Sequence, residues 1–106
     1  MIRHVITICA GLLVALAVQA QPQPQWFAVN MNCTYTPEKA TCTIQNNGSI
    51  PMFCNLRADG QLANNQVIYT YLNDWVPPGQ FRYVYVYTSP PYPRLVGALG
   101  GGQCHF

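Results

Sequence analysis

The sequence predicts an all-β protein: a small sandwich of six or seven strands, cross-linked by two disulfides and preceded by an export leader. Three observations carry this. Short runs rich in Val, Ile, Thr, Tyr and Phe recur between Gly, Pro and Asn clusters at intervals of roughly ten residues. No segment repeats apolar residues with a helical period. Four cysteines remain once the leader is set aside, and an even number in a short exported chain reads as two bridges.

The chain has 106 residues. It opens Met1-Ile2-Arg3-His4, runs uncharged from Val5 to Val18, and places small residues at Val18-Gln19-Ala20. That is the three-part signature of a secretory signal peptide, and the run is shorter than the ~20 apolar residues of a membrane-spanning helix. Cleavage after Ala20 is expected, with residues 1–20 as leader. An anchor would need a longer run or basic residues behind it, and "QPQPQW" supplies neither, so no membrane insertion is expected after cleavage. Cys9 lies inside the run and leaves with it. Residues 21–25, alternating Gln and Pro, predict an extended lead-in. Residues 26–106 then form one domain, secreted or periplasmic.

Strands are predicted at about 26–35, 40–45, 52–58, 67–73, 80–88 and 94–99, with a last short piece at 103–106. The turns between them have local causes. "TPEKA" offers proline at the second turn position, "NNGS" and "ADGQ" offer residues that tolerate positive φ, and "PPGQ" fixes two φ angles before a glycine. "GALGGGQC" is either flexible or packs closely against a neighbour. It lacks the Lys-Ser/Thr and the following helix of a phosphate-cradling loop.

Alternation assigns inward faces. Phe27, Val29, Met31 and Cys33 share one side of the first strand, and Cys42 and Ile44 one side of the second. Met52, Cys54, Leu56 and Ala58 share one side of the third. Four cysteines admit three pairings. Their positions on apolar faces favour Cys33–Cys42, clamping a hairpin, and Cys54–Cys104, tying the middle of the chain to its end. The second closes a long loop, for a chain-entropy contribution of about 4 kcal/mol. No C-x2-C spacing exists, so no metal is expected.

From "NNGS" through "CNLRADGQ" to "NNQVIYTYLNDWVPPGQFRYVYVYT", about Ile44 to Thr88, the order of strands and turns resembles small exported bacterial β-sandwich domains of the FxLYD type. The resemblance implies an immunoglobulin-like or fibronectin-like sandwich without catalytic residues. This chain differs from that pattern in its two inferred bridges and in a tyrosine run where the pattern has a mixed strand.

Charge excludes several classes of function. Beyond the leader stand Lys39, Arg57, Arg82 and Arg94 against Glu38, Asp59 and Asp74, a net of +1. There is no basic stripe for phosphates, so no nucleic-acid partner is expected, and no amphipathic basic helix for membrane surfaces. Hydrolysis by a Ser/His/acid set would have to use Ser49 or Ser89 with His105, and no nucleophile-elbow motif frames either serine. His105 reads as a surface residue of the last strand. The carboxylates Glu38, Asp59 and Asp74 all read as turn residues, which bond backbone for local reasons. With the cysteines committed to bridges, no catalytic residue and no cofactor is expected. Two sequons, Asn32-Cys33-Thr34 and Asn47-Gly48-Ser49, matter only in a glycosylating host. "SPPYP" lacks the order Pro-Pro-x-Tyr and reads as a rigid connection.

The remaining signal is aromatic. In "QFRYVYVYT", Phe81, Tyr83, Tyr85 and Tyr87 project to one side at ~6.8 Å intervals, opposite Arg82, Val84, Val86 and Thr88. Two arrangements fit. If the valines face the core, the rings form an exposed shelf, with Tyr69 and Tyr71 of the preceding strand as its extension. If the rings face the core, their hydroxyls need partners at the rim. The valine core is favoured, because three buried phenols would need three satisfied hydrogen bonds. The shelf predicts a non-catalytic binding protein whose partner is a protein or a carbohydrate. A structural envelope component that self-associates through strand edges is the alternative, and a small secreted hydrolase or inhibitor ranks after it.

Overall fold

A computed structural model describes residues 23–106. The expected leader and the first two residues of the lead-in lie outside the described residues, and residues 23–25 are exposed without regular structure. Seven strands follow in order: β1 (Phe27–Asn30), β2 (Asn32–Tyr35), β3 (Lys39–Gln45), β4 (Met52–Leu62), β5 (Val67–Val76), β6 (Phe81–Tyr87) and β7 (Leu95–His105). They form a four-stranded sheet, β1-β7-β4-β5, and a three-stranded sheet, β2-β3-β6. Every pairing is antiparallel. This is the all-β, two-disulfide sandwich that the spacing predicts.

The predicted first strand is divided. Met31 is the crossing point, where the chain leaves the edge of the four-stranded sheet and enters the other. Its amide still donates to Gly100 O (3.0 Å), and its side chain is buried. One flank of the sandwich is therefore closed by a single segment shared between both sheets. The opposite flank lies between β5 and β6. The turn joining those strands carries the chain from one sheet to the other, so β5 and β6 do not pair. Gln80 N donates to Pro77 O (3.0 Å) and Gly79 has φ 76°, the geometry that Pro-Gly at the centre of a type II turn supplies.

Two turn predictions are corrected. "ADGQ" lies inside β4, where Asp59 and Gly60 pair with Tyr69 and Ile68 on one side and with Leu99 and Ala98 on the other. A Cβ at Gly60 would come within 2.6 Å of Leu95 Cδ2 and 3.1 Å of Val86 Cγ1, so close packing rather than turning explains this glycine. The chain reverses later: Asn65, φ 69°, donates its amide to Leu62 O (3.0 Å). Asp74, expected in a turn, also lies within a strand, β5. "GALGGGQC" is continuous strand and joins the two pieces predicted at 94–99 and 103–106. A Cβ at Gly100 would lie 2.9 Å from Cys42 Sγ and 3.0 Å from Cys33 Sγ. The bridge of one sheet seats on the bare backbone of the other, which is the close-packing alternative for this run.

Both bridges form as expected, Cys33–Cys42 and Cys54–Cys104. Each joins residues directly opposite on adjacent strands, with Cα atoms 4.1 Å apart. That spacing belongs to a non-hydrogen-bonded antiparallel pair. Each cross-link thus lies within one sheet, and neither spans the two layers. The core between the layers is apolar, built from Met52, Leu56 and Leu62 of β4, Val76 of β5, Val84 and Val86 of β6, and Leu95 of β7. Among its neighbours stands one buried polar side chain, Asn46, 2% exposed. Its Nδ2 donates to Ile50 O (2.8 Å) and Val76 O (2.9 Å), and its Oδ1 accepts from Gly48 N (2.8 Å). This knot holds the β3–β4 connection against the end of β5 and satisfies all three groups.

Candidate binding face

The direction of the tyrosines follows from what lies opposite them. Val84 and Val86 are 2% and 3% exposed, whereas Tyr83 is 50% and Tyr87 65% exposed. The valines complete the core, and Phe81, Tyr83, Tyr85 and Tyr87 stand on the outer face of the three-stranded sheet. Register places Lys39, Thr41, Thr43 and Gln45 of β3 beside Tyr87, Tyr85, Tyr83 and Phe81 in turn. The row is thus lined along one side by two threonines, with a cation at one end and an amide at the other.

Backbone parity tightens this arrangement. Cys42 forms a non-hydrogen-bonded pair with Cys33, so its amide and carbonyl turn the other way, toward β6. Consistent with that, Asn46 N bonds Gln80 O and Thr88 N bonds Glu38 O, both 3.0 Å. The even-numbered residues of β6 therefore bond β3, and the aromatic residues form the non-hydrogen-bonded pairs, in which facing side chains lie closest. Lys39 Nζ accordingly sits 4.6 Å from the Tyr85 ring centre and 5.9 Å from that of Tyr87. Along the strand, centroids are 6.2, 6.3 and 6.0 Å apart, and the Tyr83 and Tyr85 planes differ by 7°. The rings form an ordered series in which each limits its neighbour's rotation. A partner meets rings already held in place, which lowers the entropy cost of contact.

Tyr69 and Tyr71 do not extend this row. They lie on β5, in the other sheet, because the Pro-Gly turn changes layers instead of closing a hairpin. Both are exposed on the outer face of the four-stranded sheet, where the Arg57 guanidinium lies 4.3 Å from the Tyr69 ring centre and 5.7 Å from that of Tyr71. Arg57 Nε also donates to Asp59 Oδ1 at 2.6 Å. This hydrogen bond to the carboxylate raises the already high Arg57 pKa, with the tyrosine contributing less. The result is a second, charged aromatic patch, separate from the first.

A third aromatic group escaped the sequence reading. Trp26, Phe53, Trp75 and His105 gather at one end of the four-stranded sheet's outer face, with Trp26 and His105 centroids 4.5 Å apart and Phe53 and Trp75 5.4 Å apart. Alternation from Cys54 and Cys104 puts Phe53 and His105 outward, which was the available signal. His105 is thus a half-buried packing partner of Trp26, with neither serine near it in sequence or strand pairing. Asp59 and Asp74 are engaged by Arg57 and Arg82 respectively. Among the described residues, no three His, Cys, Asp or Glu side chains converge as metal ligands. No helix among them is long and apolar enough to cross a membrane.

The flank between β5 and β6 opens away from the Pro-Gly turn. Near the turn Arg82 Nε holds Asp74 Oδ2 across the gap (3.0 Å). At the far end a cleft of about 760 Å³ is walled by Leu62, Ile68, Tyr87 and Tyr92, with Glu38 and Lys39 among its remaining lining residues. Tyr87 belongs both to this cleft and to the aromatic row, so the two surfaces are continuous. Taken together, fold and surface define a disulfide-linked β-sandwich with an ordered aromatic face. No family model matches the sequence, and no curated protein is significantly similar to it.

Proposed function

We propose that this chain is a secreted or periplasmic, non-catalytic binding protein, immunoglobulin-like in the sense of the FxLYD-type resemblance, that acts by contact through the outer face of β3 and β6. The observation that carries the proposal is the aromatic row itself. Four rings stand outside the core and are flanked by Thr41 and Thr43. Large rings provide contact area at low entropic cost, and the hydroxyls beside them provide directional hydrogen bonds. A carbohydrate is the nearest specific partner, since rings and hydroxyls in alternating columns match a ligand with apolar faces and hydroxyl rims. A protein surface is the other.

The test is a double substitution, Tyr83→Ser with Tyr85→Ser, assayed against glycan and protein panels by tryptophan and tyrosine fluorescence. The expected result is an unfolding midpoint close to that of the parent and a loss of affinity of at least about tenfold, the loss typical of a central aromatic contact. A ligand bound equally well by parent and variant would overturn the assignment of the face.

A further inference from the structure

We infer that the free edge of β6 pairs with β6 of a second copy of this chain, antiparallel about a two-fold axis, extending the three-stranded sheet to six strands. The inference concerns the edge of the strand and does not depend on the face being a ligand site.

The backbone parity derived above supplies the argument. β6 is the last strand of its sheet, and its even-numbered residues bond β3. The amides and carbonyls of Phe81, Tyr83, Tyr85 and Tyr87 therefore point away from the sheet, with no strand paired to them among the described residues; the Phe81 carbonyl alone of these accepts from a side chain, Arg82 Nη1 (2.9 Å). Sheet edges are ordinarily protected by proline, a bulge, an outward charge or short length. β6 has seven residues in unbroken register with β3, contains no proline, and carries one charge, Arg82, which is held by Asp74 on the other face and covers the edge only at the Phe81 carbonyl, leaving Tyr83, Tyr85 and Tyr87 open. β1 and β2 have four residues each; β5, with ten, is also an edge and is covered at the Trp75 amide by Asp74 Oδ1 (2.8 Å), so the choice of β6 rests on the complementarity of its rings.

The edge is also complementary to itself. With Val84 at the two-fold axis, Tyr83 lies opposite the second copy's Tyr85, and Phe81 opposite the second copy's Tyr87. The Tyr83–Tyr85 pairs exchange both backbone bonds, and in each Phe81–Tyr87 pair the Phe81 amide donates while the Phe81 carbonyl stays with Arg82, for about six in all. Every ring then meets a ring across the axis, and Arg82 faces a valine, so no like charges are opposed. Covering roughly a third of each of eight rings, at 150–250 Å² per ring, removes about 400–650 Å² from water. With the backbone edge added, this remains near the lower end of specific interfaces, so the pairing is a concentration-dependent one.

The test reads individual amides. Purified protein without other ligands is followed by sedimentation and by NMR hydrogen exchange across the micromolar to millimolar range. The expected result is a monomer–dimer equilibrium in which protection of the Phe81, Tyr83, Tyr85 and Tyr87 amides rises about tenfold or more with concentration. Protection at Arg82, Val84 and Val86, already bonded to β3, should be high throughout. Tyr85→Pro removes one edge amide without touching the β3 ladder and should return the monomer. The double serine variant keeps every amide but removes four of the eight facing rings, so it should pair more weakly with the same pattern of protected amides, whereas failure of the face shows only in ligand affinity; failure of the edge and failure of the face are thus distinguishable. Edge amides that exchange equally at all concentrations, or a Tyr85→Pro variant that dimerises like the parent, would overturn the inference. If Tyr85→Pro does not fold, the exchange pattern of the parent decides alone.

Discussion

Asn46 is the most informative single position for stability, because one side chain satisfies three backbone groups of unequal burial. Asn46→Ala removes all three bonds at once. Ile50 and Gly48 are exposed, so their freed carbonyl and amide recover water, and each lost bond costs about 0.5–1 kcal/mol net. Val76 is fully buried, but its carbonyl keeps the Met52 amide opposite it in the β4–β5 ladder, so the lost Asn46 bond costs a similar amount, about 0.5–1 kcal/mol. The sum is about 1.5–3 kcal/mol, a large part of the stability of a domain this small. Urea unfolding monitored by tryptophan fluorescence should show a lower midpoint at unchanged slope. Asn46→Asp sharpens the test. Its carboxylate can still accept from Gly48 N but turns an oxygen toward two carbonyls, so folding raises its pKa above the unfolded value. The variant is then least impaired below about pH 4, near the ordinary Asp value, and loses stability as pH rises. A cost below about 0.5 kcal/mol for Asn46→Ala, or an Asp variant that gains stability with rising pH, would refute the knot.

Other expectations follow from the same packing. Replacing Cys54 and Cys104 by Ala should cost about 4 kcal/mol and replacing Cys33 and Cys42 about 2.7 kcal/mol by the loop-entropy relation, in that order by denaturant titration. Gly100→Ala drives a Cβ against the Cys33–Cys42 sulfurs and should cost about 1–3 kcal/mol. Gly79→Ala meets no atom within 4 Å and should cost only the penalty of positive φ, about 1–2 kcal/mol. Its thermal midpoint should fall without loss of a cooperative transition.

The inward faces were legible because alternation is a local property with a period of two. Met31, Cys42, Cys54, Leu56 and Ala58 all lie where it puts them, and the disulfide pairing followed from those faces. The errors arose where a long-range partner outweighed a local preference. Asp59-Gly60 has strong turn chemistry, yet β4 is paired on both sides there, and the space beside Gly60 is filled by Leu95 and Val86. The actual reversal uses Asn65, whose tolerance of positive φ was present in "ANNQ" but competed with a better-looking signal. The crossing at Met31 leaves no mark in the alternation, because the side chains keep their phase while the hydrogen-bonding partner changes. For the same reason Tyr69 and Tyr71 were misplaced: a Pro-Gly turn has one local geometry whether it closes a hairpin or changes layers. The aromatic row was visible in sequence, and the direction of its rings depended on the phenol count and on the burial of two valines.

The burial of the Cys54–Cys104 bridge has a kinetic consequence. Both cysteines are wholly inaccessible, with β5 and β1 on either side of the pair of strands they join. A thiol reductant can reach the sulfurs only when the sheet opens, so at high reductant concentration the rate of reduction becomes the rate of opening and no longer depends on the reagent. Cleavage of this bond is then a clock for spontaneous unfolding. The partly exposed Cys33 sets no such limit for its own bridge, so the two disulfides of one small domain should answer to different rate laws.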